Sequence, residues 1–234
     1  MNKIITSFYK DKNYCQVEKK IGVHFKNQEL LVQSFVHRSY FYEVDNPFPE
    51  TNERLEFLGD AVLELVVTDE LYNQYQKEEG LLTKWRAALV NTISLSKVAS
   101  KLELEKFLLL STGEKQNEKG RKSILADLIE ALIGAIYLDQ GLPEARVFIK
   151  KNILKKLPQI IEKKSFQDPK STYQELAQEE YNITPTYKIL KEEGPDHAKL
   201  FEVGVYLKNK LISKGRGASK QKAEQKAASQ ALKK

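Results

Sequence analysis

Residues Ile124–Leu138 read ILADLIEALIGAIYL: thirteen of these fifteen positions are apolar or glycine, and the exceptions are Asp127 and Glu130. Carboxylates are almost never fully buried unless they are paired or hold a metal. These two stand three positions apart, so a helix puts them on one face with no polar neighbour to share it. A second helix-forming stretch, Glu53–Tyr75, carries Glu56 and Asp60 within ERLEFLGDAVLELVV. Two apolar helices, each bearing a close acidic pair, are the expected two halves of a divalent-metal site. Mg²⁺ or Mn²⁺ are the expected ions, because both prefer carboxylate and water oxygens.

The plain alternative for each pair is a salt-bridged or solvent-facing acidic stripe. Counting from Glu53 at about 100° per residue, Glu56, Asp60 and Glu64 fall at about 300°, 340° and 20°. Phe57, Leu63 and Val67 fall among them, at about 40°, 280° and 320°. A helix that is apolar nearly all round does not turn its acids to bulk water. An ion in a cleft is the expectation.

The stretch NERLEFLGDAVLELVV (52–67) closely resembles the signature of the ribonuclease III family of double-stranded-RNA endonucleases. HRSY at His37–Tyr40, EEG at Glu78–Gly80, RAALVN at Arg86–Asn91 and KSILADLIEALIGAIYLD at Lys122–Asp139 follow the family's order and spacing. The likeness runs from about residue 20 to the C-terminus. It implies metal binding by Glu56, Asp60, Asp127 and Glu130, with Glu53 as a further acid lining the cleavage valley. The family's remaining acid falls on Glu79; the segment between Tyr72 and Gly80 is one residue shorter than the family pattern, so Glu78 competes for that place. Asp60, Glu130, Glu53 and Glu79 are thus the candidate catalytic acids.

Charge placement adds a second module. The chain carries +6 overall, yet residues 205–234 carry +8, which leaves −2 on the 204 residues before them. A basic end on a near-neutral body points to a polyanion partner, and this end also has a fold pattern. After the polar, Pro-containing run KKSFQDPK (163–170), Ser171–Tyr181 reads as a helix. Thr186–Lys191 and the alternating Phe201, Val203, Val205 and Leu207 read as strands, and Lys210–Ser213 as a third ended by KGRG. Ser219 then caps a final Ala-rich helix, Lys220–Leu232. The order α-β-β-β-α resembles the double-stranded-RNA-binding domain. The expected fold is therefore an all-α endonuclease domain (1–160), a linker (161–169) and a small α+β RNA-binding domain (170–234).

Lys220 and Lys222 occupy the first turn of the last helix, where the macrodipole opposes cations by about 0.3–1 kcal/mol each. A docked phosphate reverses that sign. The family often has adjacent lysines here; Gln221 interrupts them, leaving Lys222 as a differently directed substitute. The resemblance further implies RNA contacts from Ser171 (often Thr in relatives), Gln174, Glu175, His197 and Ser219.

The chain has one cysteine, Cys15, and three histidines, so neither an intramolecular disulfide nor a zinc constellation is available. The segment MNKIITSFYKDKN lacks an apolar run of signal-peptide length, and no 18-residue apolar stretch exists, so the expectation is a cytoplasmic protein with no membrane partner. Two ions about 3.5–4 Å apart supply what phosphodiester hydrolysis requires without Ser, His or Cys. The resemblance implies Mg²⁺-dependent cleavage of double-stranded RNA, not DNA, leaving 5′-phosphates and 3′-hydroxyls, with ribosomal precursor and other structured RNAs as substrates. Cutting both strands takes two acid sets and one chain has one, so a homodimer is expected, with Phe57 matching the aromatic that relatives insert into the partner. Two other readings remain: a duplex-RNA-binding regulator whose helical domain only dimerises, and a phosphohydrolase of small nucleotides.

Overall fold

A computed structural model describes residues 13–43, 48–118, 120–162, 166, 168–195 and 199–233. The chain divides into two compact units, Met1–Lys163 and Lys164–Lys234. The first is helical: α1 (Cys15–Ile21), α2 (Gln28–Ser34), α3 (Arg38–Glu43), α4 (Glu53–Gln74), α5 (Glu79–Val90), α6 (Thr92–Lys101), α7 (Thr112–Gln116), α8 (Arg121–Gln140), α9 (Leu142–Asn152) and α10 (Leu157–Glu162). The second runs α11 (Pro169–Tyr181), β1 (Thr186–Glu193), β2 (Leu200–Leu207), β3 (Lys210–Gly217) and α12 (Lys220–Ala231). This is the expected fold class. No helix among the described residues is long and apolar enough to cross a membrane.

The apolar run quoted first forms the centre of the helical unit. Between Ile124 and Ile136, α8 buries every position except Asp127 and Glu130. It can do so because α4, α6, α9 and α2 surround it. Its closest neighbour is α4, and the reason lies in two glycines. A Cβ added to Gly59 would stand 1.7 Å from the carbonyl oxygen of Glu130, and one on Gly134 would stand 2.2 Å from the carbonyl oxygen of Leu55. The two helices therefore touch backbone to backbone.

The HRSY segment is fastened to the same helix. Asn52, buried just before α4, donates its N–H to the Val36 carbonyl at 2.8 Å. On the other side, the His37 N–H donates to Leu109 O at 3.2 Å, and Val36 and Leu109 form a parallel bridge. Ser39 Oγ lies 2.8 Å from His37 Nδ1 and accepts the Ser111 N–H at 3.1 Å. His37 Nδ1 also accepts the Ser39 N–H at 3.2 Å, and burial lowers the pKa of this ring.

In the second unit the strands pair antiparallel in the order β1-β2-β3. One face is covered by α11 and α12, with a core of Tyr173, Val205, Ala227, Ala228 and Ala231. The third strand is longer than the sequence pattern predicts. KGRG does not end it; Phe201 pairs with Gly217 and Val203 with Gly215. These glycines are strand residues because α12 lies directly on the sheet backbone. A Cβ at Gly215 would meet Ala227 N at 2.2 Å, and one at Gly217 would meet Ala223 N at 2.6 Å.

Candidate functional site

The Gly59–Gly134 contact sets the site. With the backbones touching, Glu56 on α4 faces Asp127 and Glu130 on α8. One carboxylate oxygen from each of these three lies within 4.8 Å of the others, and all three side chains are half-buried. Three carboxylates this close, partly out of water, resist ionisation. Glu130 is pushed up to about 8, first by burial and then by Asp60, Asp127, Glu56 and Glu64. Burial also raises Asp127, opposed by a hydrogen bond from its own backbone and by the charge of Arg38. Glu56 is raised by burial, then by Asp127, Glu53 and Asp60, and is lowered by Arg38. The group thus has anionic oxygen donors in excess of local positive charge. A small divalent cation with a preference for carboxylates fits such a donor set.

The remaining candidate acids occupy different places. Asp60 is exposed, one turn along α4 from Glu56 and outside the trio, yet among neighbouring charges it acts most strongly on Glu130. Glu53 opens α4 at the rim; its carboxylate accepts the Thr51 hydroxyl at 3.0 Å and lies 3.8 Å from Arg38 Nη1. Glu79 is not brought to the acids within one chain. It starts α5, after α4 has ended at Gln74, and is neither among the three clustered acids nor among the charges that act on them. There it accepts the Thr83 hydroxyl at 2.9 Å and lines a cavity of about 690 Å³ with Thr68, Tyr72 and Lys77. Glu78, its competitor, is the exposed residue just before that helix.

Phe57 points out of the chain with 81% of its surface exposed. Leu65 at 57% and Tyr72 at 77% continue an apolar stripe along the same helix. The expectation that α4 is closed to water all round therefore fails on this side: Leu63 and Val67 are buried, while Phe57, Asp60 and Leu65 face outward.

In the second unit, Ser171, Gln174 and Glu175 are exposed on α11, and the Ser171 hydroxyl donates to Asp168 at 3.3 Å. Ser219 caps α12 by accepting the Lys222 N–H at 3.2 Å. Lys220 Nζ lies 3.8 Å from Glu192 and 5.7 Å from the centre of the Phe201 ring. The Lys222 side chain is exposed, and Lys226, one turn on and unassigned from sequence, is exposed too. His197 lies outside the described residues. Sequence reasoning also missed Arg38, whose charge reaches two of the three clustered acids. Its only signal was a position inside HRSY, a motif given no role of its own.

Known proteins resemble this chain along most of its length. Residues 27–157 match the family model described as Ribonuclease-III-like, and residues 169–234 match the double-stranded RNA binding motif. The chain is 44% identical over 220 residues to Ribonuclease 3 of a Nitratiruptor species, covering 93% of this chain and 95% of that protein. It is 47% identical over 223 residues to Ribonuclease 3 of Carboxydothermus hydrogenoformans, with 94% of each covered. Among solved structures, the nuclease domain of ribonuclease III from Campylobacter jejuni superposes with a TM-score of 0.55 at 40% identity, covering 62% of this chain and 99% of that one. That structure is described as showing flexibility in a region involved in dimer formation.

Proposed function

This chain belongs to the ribonuclease III family of double-stranded-RNA endoribonucleases, and from that premise we propose a Mg²⁺-dependent enzyme that leaves 5′-phosphate and 3′-hydroxyl ends. The observation that carries the reading is the trio Glu56, Asp127 and Glu130, held together across Gly59 and Gly134 with too little positive charge nearby. Glu56, Asp127 and Glu130, with Asp60 beside them, hold the cation or cations. Bound there, Mg²⁺ or Mn²⁺ supplies an acidified water and stabilises charge on phosphate oxygens. A cation held there would favour the ionised form of Glu130, so ion binding and pH would be linked. Water attacks phosphorus, the P–O3′ bond breaks, and O3′ takes a proton, which accounts for the proposed ends.

A homodimer follows from three supports. One chain carries one acid set, Phe57, Leu65 and Tyr72 leave apolar surface of a single helix open to water, as an interaction site does, and the C. jejuni nuclease domain is described in terms of dimer formation. Phe57 is the proposed contact. Glu53 lines the site's rim, and Glu79, remote within its own chain, can serve the reaction only from the partner. The proposed division is a catalytic domain at 1–160, a linker at 161–169 and an RNA-binding domain at 170–234. In the latter, Ser171, Gln174 and Glu175 on α11, His197, and Ser219, Lys220 and Lys222 contact the duplex. Ribosomal precursors and other structured RNAs are the proposed substrates. The test is incubation with labelled duplex RNA, single-stranded RNA and duplex DNA, with and without Mg²⁺. Only duplex RNA with Mg²⁺ should be cut; efficient cleavage in excess chelator refutes the reading.

A further inference from the structure

The acid cluster poses a problem for its substrate. An RNA phosphodiester is an anion approaching three or more carboxylates, so something at the entrance must attract it. Arg38 stands there. Its side chain is 67% exposed, and its charge acts on both Glu56 and Asp127.

Arg38 is also the least committed arginine among the described residues. Arg54, Arg86, Arg121, Arg146 and Arg216 each lie within 2.9 Å of a carboxylate oxygen. Among those residues, Arg38 makes a single ion-pair contact of 3.8 Å, to the exposed Glu53. Such a long, solvent-screened pair is weak, and among the described residues it leaves most of the five guanidinium N–H donors unused. A phosphate offers the paired oxygens that this planar fork matches best.

Its main chain, by contrast, is clamped. Val36 and Asn52 tie the segment to the start of α4, the helix that carries Glu53 and Glu56, while His37–Leu109 and Ser39–Ser111 tie it from the other side. The clamp fixes the base of the Arg38 side chain against the site while its tip stays free to change partners.

We propose that Arg38 is a substrate-contact residue whose guanidinium leaves Glu53 to bind the phosphodiester lying over the acid cluster. The proposal rests on the nuclease reading above. In it, Glu53 holds the guanidinium near the site until RNA arrives.

The test uses the full-length protein with Arg38→Ala and Arg38→Lys. Cleavage of a labelled RNA hairpin is followed in saturating Mg²⁺, and affinity for the uncut duplex is measured in chelator. Arg38→Ala should lower kcat/KM at least tenfold and weaken duplex binding three- to tenfold. The Mg²⁺ midpoint and Tm should stay close to those of the parent. Arg38→Lys should recover only part of the loss, because an ammonium keeps the charge without the fork. Cleavage within twofold of the parent overturns the proposal. So does a loss that extra Mg²⁺ restores with KM unchanged, which would mean that Arg38 merely balances the acids. A parent protein that cuts no duplex RNA refutes the nuclease reading itself, a result that needs no variant to recognise.

Discussion

Replacing Gly59 by alanine should disable the site without touching any carboxylate. The new Cβ would lie 1.7 Å from the Glu130 carbonyl oxygen, where real Cβ contacts essentially never fall below 3.0 Å, so the crossing must open by at least 1.3 Å. No flexible side chain can yield, because the obstructing atoms are the backbone of Glu130 and the amide of Gly134. Overpacking of this kind costs about 1–3 kcal/mol, and the better helix propensity of alanine returns up to about 1 kcal/mol. A net loss of about 1–2 kcal/mol lowers Tm by roughly 2–8 °C for a chain of this size. Activity should suffer far more. The displaced backbone is that of Glu130 itself, and a misplacement of about 1 Å can cost about 100-fold in rate. The assay pairs a thermal melt with cleavage of a labelled duplex across a Mg²⁺ titration, alongside Gly134→Ala, whose Cβ meets Leu55 O at 2.2 Å. Gly113→Ala is the control, since nothing lies within 4 Å of that position. Parent-like cleavage and Tm in Gly59→Ala would refute the claim that backbone contact at this crossing sets the site.

Glu130→Gln should abolish cleavage with duplex affinity largely retained; a variant still cutting at a tenth of the parent rate removes Glu130 from the site. The same variant tests the titration. A carboxyl whose folded pKa is raised to about 8 from 4.5 favours the fold at low pH, and that advantage is lost as pH rises through this window. The site is open to water on one side, so screening reduces the effect to about 2 kcal/mol. In chelator, the parent should lose that stability between pH 4.5 and 8 relative to Glu130→Gln, and Mg²⁺ should restore it; parallel pH–stability curves contradict the shift. Phe57→Lys should yield monomers in sedimentation with the chain's own Tm little changed, since the side chain is exposed, whereas an undiminished dimer assigns the contact elsewhere. Truncation after Lys164 should weaken duplex binding and flatten its salt dependence, because released counterions scale with phosphates contacted, while slow cleavage survives at low salt. The fragment 168–234 should bind RNA duplexes over DNA duplexes in a gel shift, and indifference between them would reduce its role to that of a generic polycation.

Much of this architecture is legible from periodicity. The acids at 56, 60, 127 and 130 stand out because helical spacing places them in otherwise apolar surroundings, and the α-β-β-β-α order follows from alternation and one N-cap at Ser219. Periodicity describes the faces of one element, however, and says nothing about which face meets which. Phe57 falls among buried positions on a helical wheel yet faces water, because the neighbours of α4 cover only part of its circumference. The strand glycines at 215 and 217 read as the end of the third strand because their purpose, close approach by α12, belongs to a different element. Arg38 acquires a role only once hydrogen bonds to residues 52, 109 and 111 bring its segment to the acids. The sequence by itself determined the helical and α+β modules and the inventory of carboxylates. The tertiary structure alone decided that Glu56, Asp127 and Glu130 meet while Glu79 stands apart, because that meeting depends on missing side-chain atoms at Gly59 and Gly134, on two helices far apart in the chain, where backbone must touch backbone.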